Sequence, residues 1–373
     1  MSITVQPVSG SAGTRKFIKL QWKFYQGDRN WVPPLLMDRK KVLNTRKNPF
    51  FRHSDMQLFI AERNGEAVGR IAAIVNRNHN QTHGDKVGFF GFFECINVQE
   101  VADALFDAAA NWLRAKGMDT MRGPMNPSVN DEIGMLVDGF DRPPVLLMTY
   151  NPRYYPLLVE TYGFKKEKDL YAYLLRHDDV LTPKLERGQQ IVRDRYGVSV
   201  RDVDFRNLAR ETATLKDLYN RIWEANWGAV AMTDAEFDFL ANDLKQAVGK
   251  FKDLVFYLLK DGEPIGFTLF LPDLNQVLIH NSSGAILPAL YHIATKTKSI
   301  NLGRIIALGV LPQYRGKGLD SVMYYEVLKR AAAHGIFLGE ASWVLEDNEM
   351  MNRGAKMMNA ERYKTYRIYD VSI

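Results

Sequence analysis

The sequence predicts an α/β protein, a mixed sheet flanked by helices, built as two tandem copies of one module. Two hairpin signatures carry this first. An Asn-Gly and an Asp-Gly lie between apolar runs in "LFIAERNGEAVGRIAAIV" (Leu58 to Val75) and "VFYLLKDGEPIGFTLFL" (Val255 to Leu271), and such dipeptides are the strongest short-range hairpin signal. The second observation is their spacing: Gly65, Glu66 and Gly69 recur as Gly262, Glu263 and Gly266, a constant offset of 197. Third, further features repeat near that offset. "ITVQPV" at Ile3 pairs with "VSVRDV" at Val198, and Asn151 before a helix pairs with Asn348 before a helix.

Each copy then reads in the same order. A short opening strand and a helical region precede the hairpin. Another strand follows, then a helix ending at glycine (Gly117, Gly335), one more strand, and an Asn-initiated helix. Strands alternating with helices in this way predict a sheet with crossover helices. Between the copies, "HDDVLTPKLERGQQIVRDRYG" holds a helix that Pro183 starts and that runs to about Arg195. The expected organisation is a first module over 1–176, a connector over 177–197 and a second module over 198–373.

Composition bounds the function. A chain of 373 residues with 46% hydrophobic content buries a substantial core. The opening "MSITVQPVSGSAG" has neither a basic nor an apolar leader segment, and no run approaches 18 apolar residues, so the expected location is the cytoplasm with no transmembrane segment. One cysteine, Cys95 in "GFFGFFECIN", excludes a disulfide framework and reads as a small buried hydrophobe. The net charge of +6, spread over 49 basic and 43 acidic residues, favours anionic partners such as nucleotides or acidic membrane surfaces and does not indicate nucleic acid. His79 and His83 lack the Glu of a zinc-binding H-E-x-x-H, so no metal is expected, and His280 reads as a sheet histidine.

The most chemically loaded stretch is "GVLPQYRGKGLDSVMYY", residues 309–325. "RIIALGV" before it has a buried-strand pattern, and "SVMYYEVLKRAAAHG" after it has helical spacing with a terminal glycine. A strand, a glycine loop and a helix N-terminus together present unpaired backbone N–H groups to a phosphate. Lys317 is followed by Gly318 and Leu319, not by Ser or Thr, so this is no nucleoside-triphosphate loop. Gly316, Gly318 and Ser321, with Glu340 about 20 residues on, approach the dinucleotide fingerprint. Only about 30 residues follow Glu340, too few for the rest of that sheet.

The residues "V-L-P-Q-Y-R-G-K-G-L" (310–319) resemble the pyrophosphate loop of the GNAT acyltransferases. In that family's signature Gln or Arg is followed by two residues, Gly, one residue and then Gly or Ala, after a strand carrying Val-x-Pro. Arg315 and Gly318 match, and the element order of both modules matches a tandem GNAT arrangement with a mostly antiparallel sheet in each. The motif occurs only once, because the first module has "GFFGFFECINVQEVADALF" in the equivalent place. The resemblance implies acetyl-CoA or a longer acyl-CoA as donor. Its arm would lie along a splayed strand at Leu308 and Val310, its pyrophosphate on the loop from Tyr314 through Arg315, Gly316, Lys317, Gly318 and Leu319 to Asp320, and Asn348 nearby. Acyl transfer would then go directly to an amine, without a covalent enzyme intermediate.

Two departures stand out. Asp320 replaces the usual Gly or Ala; it reads as a helix N-cap and as a charge repelling a pyrophosphate, which suits an acyl carrier protein as donor. The family's acid Tyr is replaced by Ala355, while Tyr363 and Tyr366 read as strand residues. For a base, Glu340 and Glu346 are six apart and share a face if their strand is unbroken. In the first module, Tyr150, Asn151 and Tyr154 belong to a long loop suited to an acceptor pocket for a small-molecule amine or amino-acid-like acceptor. The reading is therefore an acyl-CoA- or acyl-carrier-dependent N-acyltransferase. The alternatives are a non-catalytic acyl-CoA sensor and an aminoacyl-tRNA-dependent transferase of the tandem type.

Overall fold

The computed structural model describes residues 2–373, apart from the side chains of 243–247. The chain opens with β1 (Ile3–Pro7), α1 (Gly10–Lys19), α2 (Gln21–Phe24) and α3 (Leu36–Val42), then β2 (Ser54–Arg63), β3 (Glu66–Asn76), α4 (Arg77–His83) and β4 (Val87–Cys95). Helix α5 (Gln99–Ala115) leads to β5 (Thr120–Gly123), the short β6 (Met125–Asn126), β7 (Glu132–Ile133) and β8 (Met135–Asp138), then α6 (Tyr155–Tyr162) and β9 (Lys165–Arg176). After α7 (His177–Val180) and α8 (Pro183–Tyr196) the plan repeats with β10 (Val198–Asp202), α9 (Leu208–Trp223), α10 (Asp234–Val248), β11 (Val255–Lys260) and β12 (Glu263–Pro272). The chain ends with α11 (Asn275–Leu278), α12 (Ile286–Lys296), β13 (Leu302–Val310), α13 (Leu319–Ala333), β14 (Leu338–Leu345), α14 (Glu349–Met357) and β15 (Glu361–Ser372).

Two compact units form, and neither is contiguous. Unit 1 comprises 1–170, 278–292 and 364–373; unit 2 comprises 171–277 and 293–363. In unit 1 the strand order is β1-β2-β3-β4-β5 followed by the C-terminal part of β15, with β8 also on β15. In unit 2 it runs from the C-terminal half of β9 through β14, β13, β12 and β11 to β10. β4 pairs with β5 and β13 with β14 in parallel, whereas β1-β2-β3-β4, β5-β15-β8 and β13-β12-β11-β10 pair antiparallel. The parallel pairs are the crossovers made by α5 and α13.

The hairpins form where the dipeptides place them. Asn64 and Gly65 take φ of 54° and 77°, and Asp261 and Gly262 take 52° and 83°. Two successive residues at positive φ make the turn whose twist matches the flanking strands. Arg63 therefore faces Glu66, and Lys260 faces Glu263. In unit 1, α5 buries Val101, Leu105, Phe106, Ala109 and Leu113 on one stripe against Phe90 and Phe93 of β4. Helix α13 does the same in unit 2 with Tyr324, Val327, Leu328 and Ala331 against Phe256, Phe270, Ile305 and Ala341. The connector forms as α8, capped by Thr182, whose hydroxyl accepts from the Leu185 N–H at 3.3 Å. It joins unit 2, where Glu186 accepts from the Tyr325 hydroxyl at 3.2 Å and Arg193 pairs with Glu326 at 2.5 Å.

The final strand corrects the expected division at 198–373. Residues 364–373 complete unit 1: Tyr369 to Ser372 pair with Gly123 to Thr120, and Arg367 faces Met135. Lys364, 1% exposed, donates to the carbonyls of Gly139 and Arg142, the latter at 2.7 Å.

Candidate active site

The parallel pair of unit 2 creates the site. Residues 302–305 of β13 pair with 338–341 of β14, and there the ladder stops, although β13 continues to Val310 and β14 to Leu345. β13 instead keeps its antiparallel bonds to β12 throughout, with an irregularity where Ala307 faces Leu269 and Ile305 faces Phe270. An extra residue on one strand bends it away from its other neighbour. Two parallel strands thus diverge just ahead of the glycine loop.

The loop presents what a diphosphate needs. Gly316 and Gly318 take φ of 73° and 71°, and Gly318 is the N-cap of α13. That geometry turns successive N–H groups outward. Among the described residues, no protein acceptor is found for the backbone N–H groups of Gly316, Lys317, Gly318, Leu319 and Asp320. Five such donors at the positive end of a 15-residue helix fit an anionic diphosphate.

The side chains around the loop divide. Leu308 is half-buried on β13, whereas Val310 packs with Leu319, Val322 and Met323 in the core. Arg315 turns away and donates to the Ile222 carbonyl at the C-terminal end of α9. Lys317 is exposed, its Nζ 5.1 Å from the centre of the Tyr314 ring. Asp320 corrects the expectation of a cap. It is the second residue of α13, exposed, and the helix has no side-chain cap, because Gly318 holds that position and Ser321 bonds back to the Gly318 carbonyl at 2.6 Å. Asn348 does cap a helix: its Oδ1 accepts from the Met351 N–H at 3.1 Å and so opens α14.

The two glutamates do not share a strand face. β14 ends at Leu345, so Glu346 lies on the turn toward Asn348, half-exposed. Glu340 is fully buried where the strands diverge. Ile305 and Ala341 point into the core beneath α13, so their neighbours Arg304, Glu340 and Ser342 occupy the opposite face. There Glu340 accepts from the Tyr363 hydroxyl and from Ser342 Oγ at 2.6 Å. Arg304 Nε lies 3.0 Å from Ser342 Oγ and 3.8 Å from the carboxylate, its guanidinium 4.7 Å above the Trp343 ring. Tyr363 is the residue that counting along the chain missed. Only the lateral neighbours of β14 bring it to Glu340, across 23 positions of sequence.

Unit 1 has the same divergence and has filled it. β4 pairs with β5 only at 87–89 and 120–122. The chain then doubles back: Asn126 Oδ1 accepts the Phe92 N–H at 2.6 Å, and the Met125 carbonyl lies so close to Gly91 that a Cβ there would meet it at 1.8 Å. Past the strand, the N–H of Cys95 binds the Tyr155 hydroxyl at 2.9 Å and its carbonyl binds the Tyr154 hydroxyl at 2.7 Å. Among the described residues, the Asn126 side chain, the Met125 backbone and the two tyrosines occupy this divergence.

The loop residues expected to shape an acceptor pocket are engaged within unit 1. Tyr150 donates to Asp28 at 2.9 Å. Asn151 is buried and binds both the N–H and the carbonyl of Leu136, at 2.7 and 3.1 Å; it lies three residues ahead of Tyr154, the N-cap of α6, and so does not start that helix. His280 lies after α11, exposed and outside any strand, its ring 5.8 Å from that of His292. The His79 imidazole is buried and held down to about 4 by desolvation, with Nε2 3.3 Å from Asp85. Among the described residues no group of three or more His, Cys, Asp or Glu side chains is placed to hold a metal ion.

Residues 212–353, which contain the diverging strands and the loop, match the Acetyltransferase (GNAT) family. A protein from Caulobacter vibrioides named bacterial ceramide synthase is 35% identical over 383 aligned residues, spanning 100% of this chain and 98% of that one. The chain belongs to the GNAT family. Protein YghO of Escherichia coli is 32% identical over 367 residues, covering 96% and 93% of the two chains. Among solved structures, the tandem GNAT protein from the clavulanic acid biosynthesis pathway superposes with a TM-score of 0.57 at 11% identity, over 100% of this chain and 98% of that one. The fold is therefore a tandem GNAT arrangement, and its family transfers acyl groups.

Proposed function

We propose that this GNAT protein is an N-acyltransferase that moves a fatty acyl group from a thioester, carried by CoA or by an acyl carrier protein, to the amine of a long-chain amino alcohol. The observation that carries the reading is the divergence of β13 from β14 ahead of five open backbone amides in unit 2. The acceptor class draws on the Caulobacter relative, named as a ceramide synthase, since a ceramide is the amide of a fatty acid with a long-chain amino alcohol.

Loop amides from Gly316 to Asp320 would hold the diphosphate, with Lys317 adding charge; β13 from Leu308 onward would receive the pantetheine arm. The ammonium acceptor must lose one proton to attack the thioester carbonyl, and as the tetrahedral intermediate collapses its nitrogen loses a second, which the departing thiolate takes up to leave as the thiol. Tyr363 and Glu340 supply the first route: the phenol accepts the ammonium proton as it passes its own to the buried carboxylate, which Ser342 and Arg304 hold in place. Glu346 is the competing base.

The test is thiol release from palmitoyl-CoA with sphinganine or with a short soluble amine. Tyr363→Phe should lower kcat about 10- to 100-fold with little change in KM for the donor, whereas Glu346→Gln should stay within about threefold of wild type. The reverse pattern assigns the proton route to Glu346. A second reading has a specific basis: exposed Asp320 and the withdrawn Arg315 both weaken a diphosphate grip, which suits a protein that senses acyl donors without transferring them. Binding of palmitoyl-CoA with no turnover on either amine establishes that reading instead.

A further inference from the structure

Helix α12 presents its large apolar residues to solvent. Ile286, Leu287, Leu290 and Tyr291 are 38, 76, 54 and 64% exposed, while Ala289 on the same turns is fully buried. Spacings of one, three and four residues place the four on one stripe, the reverse of a core helix. The stripe is not a frayed end. Within unit 1 the segment that launches α12 is pinned by Trp22 Nε1 on the Ser282 carbonyl at 2.7 Å, by the Leu36 N–H on the Gly284 carbonyl at 2.9 Å and by Asn281 Nδ2 on the Ala285 carbonyl at 2.9 Å. Gly284 sits so close to Pro34 that a Cβ would meet its carbonyl oxygen at 2.5 Å. This brings the start of α12 beside the start of α3, where Met37 is 53% exposed.

The charge around this stripe is mainly basic, exposed Asp38 in the first turn of α3 being the acidic exception. Residues 1–53 hold eleven basic residues against two acidic ones, a balance of +9 where the whole chain has +6. The last turn of α3 carries Lys40 and Lys41 beside an Arg39 that pairs with Glu132 at 2.8 Å, that of α12 carries Lys296, and no acidic residue lies between Asp273 and Asp320 in the sequence. Leucines, an isoleucine, a methionine and a tyrosine with a cationic rim are the composition of a segment that lies in a lipid interface. Among the described residues no helix is long and apolar enough to cross a membrane, so such contact is superficial.

We propose that α12 and the start of α3 form a docking face for an anionic lipid bilayer. The acceptor class proposed above gives the face a use, because a long-chain amino alcohol resides in membranes; the geometry and charge do not depend on that reading. Inserted Leu287, Leu290 and Tyr291 hold the protein at the surface while the basic residues select anionic headgroups.

Co-sedimentation with phosphatidylcholine vesicles, with and without phosphatidylglycerol, tests this. Wild type should partition onto the anionic vesicles about tenfold more strongly than onto neutral ones and should be released by raised salt. Leu287→Glu with Tyr291→Glu should lose about tenfold of that binding with an unchanged melting temperature. Leu157→Glu, at a 65% exposed leucine on α6, should bind as wild type does. Equal binding by the double variant, or no binding by wild type, overturns the proposal. So does a loss in the double variant of self-association, read by light scattering, or of acyl carrier protein binding, with vesicle binding unchanged. Turnover of a short soluble amine should be the same in wild type and double variant. Absence of all turnover with vesicle binding retained counts against the enzymatic reading alone.

Discussion

Asp320 places an exposed carboxylate in the first turn of α13, beside the amides that would meet a diphosphate. Acid in a first turn stabilises a helix by about 0.3–1 kcal/mol, and the same charge opposes a second anion there. Asp320→Asn should therefore tighten palmitoyl-CoA binding by about two- to fivefold, read by calorimetry, and lower the melting temperature slightly. An unchanged affinity removes the repulsion argument. His79 gives a pH prediction of opposite character. Burial holds its imidazole at about 4, against 6.5 when unfolded, so it is neutral at pH 7 in the folded chain. The unfolded chain binds an extra proton below about pH 6.5, so stability is intact above that value and falls as pH drops toward 4, by up to about 3 kcal/mol. Urea melts across this range should show a shallower decline for His79→Phe, which keeps the ring packed edge-on against Phe89.

At the scale of elements, the divergence of a parallel pair is common to both units, and what fills it separates them. In unit 1 the Asn126 side chain and the Met125 backbone occupy the gap; in unit 2 the strands lead into open amides. Gly318 is critical to the latter. A side chain there has room, its nearest neighbour being Val192 Cγ2 at 3.7 Å, but the left-handed backbone costs any L-residue about 1–2 kcal/mol. Gly318→Ala should relax the loop out of register and weaken palmitoyl-CoA binding by about tenfold, while a melt shows a loss of about that strain energy. The hairpins and this loop were legible in the sequence because positive φ at Asn64-Gly65, Asp261-Gly262, Gly316 and Gly318 is a local property of the residues themselves. Arg315 turned to Ile222, Tyr363 on Glu340, and Asn126 on Phe92 were not legible. Each depends on strands or helices brought together across long stretches of chain, where a residue's type states what it can bond but not which partner arrives.

For the whole molecule, the tandem plan was visible in the offset of 197 between the hairpins, yet the sequence order of the modules concealed an exchange at the end of the chain. Each unit has its own parallel pair and crossover helix, but the strand that completes unit 1 is made of residues 364–373. The duplication does not duplicate the site, since Asn126 and Met125 fill the strand divergence of unit 1, so native mass spectrometry should find one palmitoyl-CoA per chain. The exchange has a sharper consequence. Tyr366, Ile368 and Tyr369 are fully buried, and Arg367 is held by Asp169 at 2.7 Å within unit 1. Removing the chain after Tyr363 strips these three core side chains, each worth roughly 1.5–3 kcal/mol of burial, and leaves β5 without its antiparallel neighbour. The loss is comparable with the 5–15 kcal/mol that keeps a typical domain folded. A chain ending at Tyr363 should therefore lose unit 1, whose largest segment, 1–170, lies more than 100 positions away in sequence, while unit 2 retains its glycine loop and both Glu340 and Tyr363. Limited proteolysis should then cleave within 1–170 and 278–292 first and spare 198–277 and 293–363. Equal protection of both regions would show that unit 1 does not depend on its final strand.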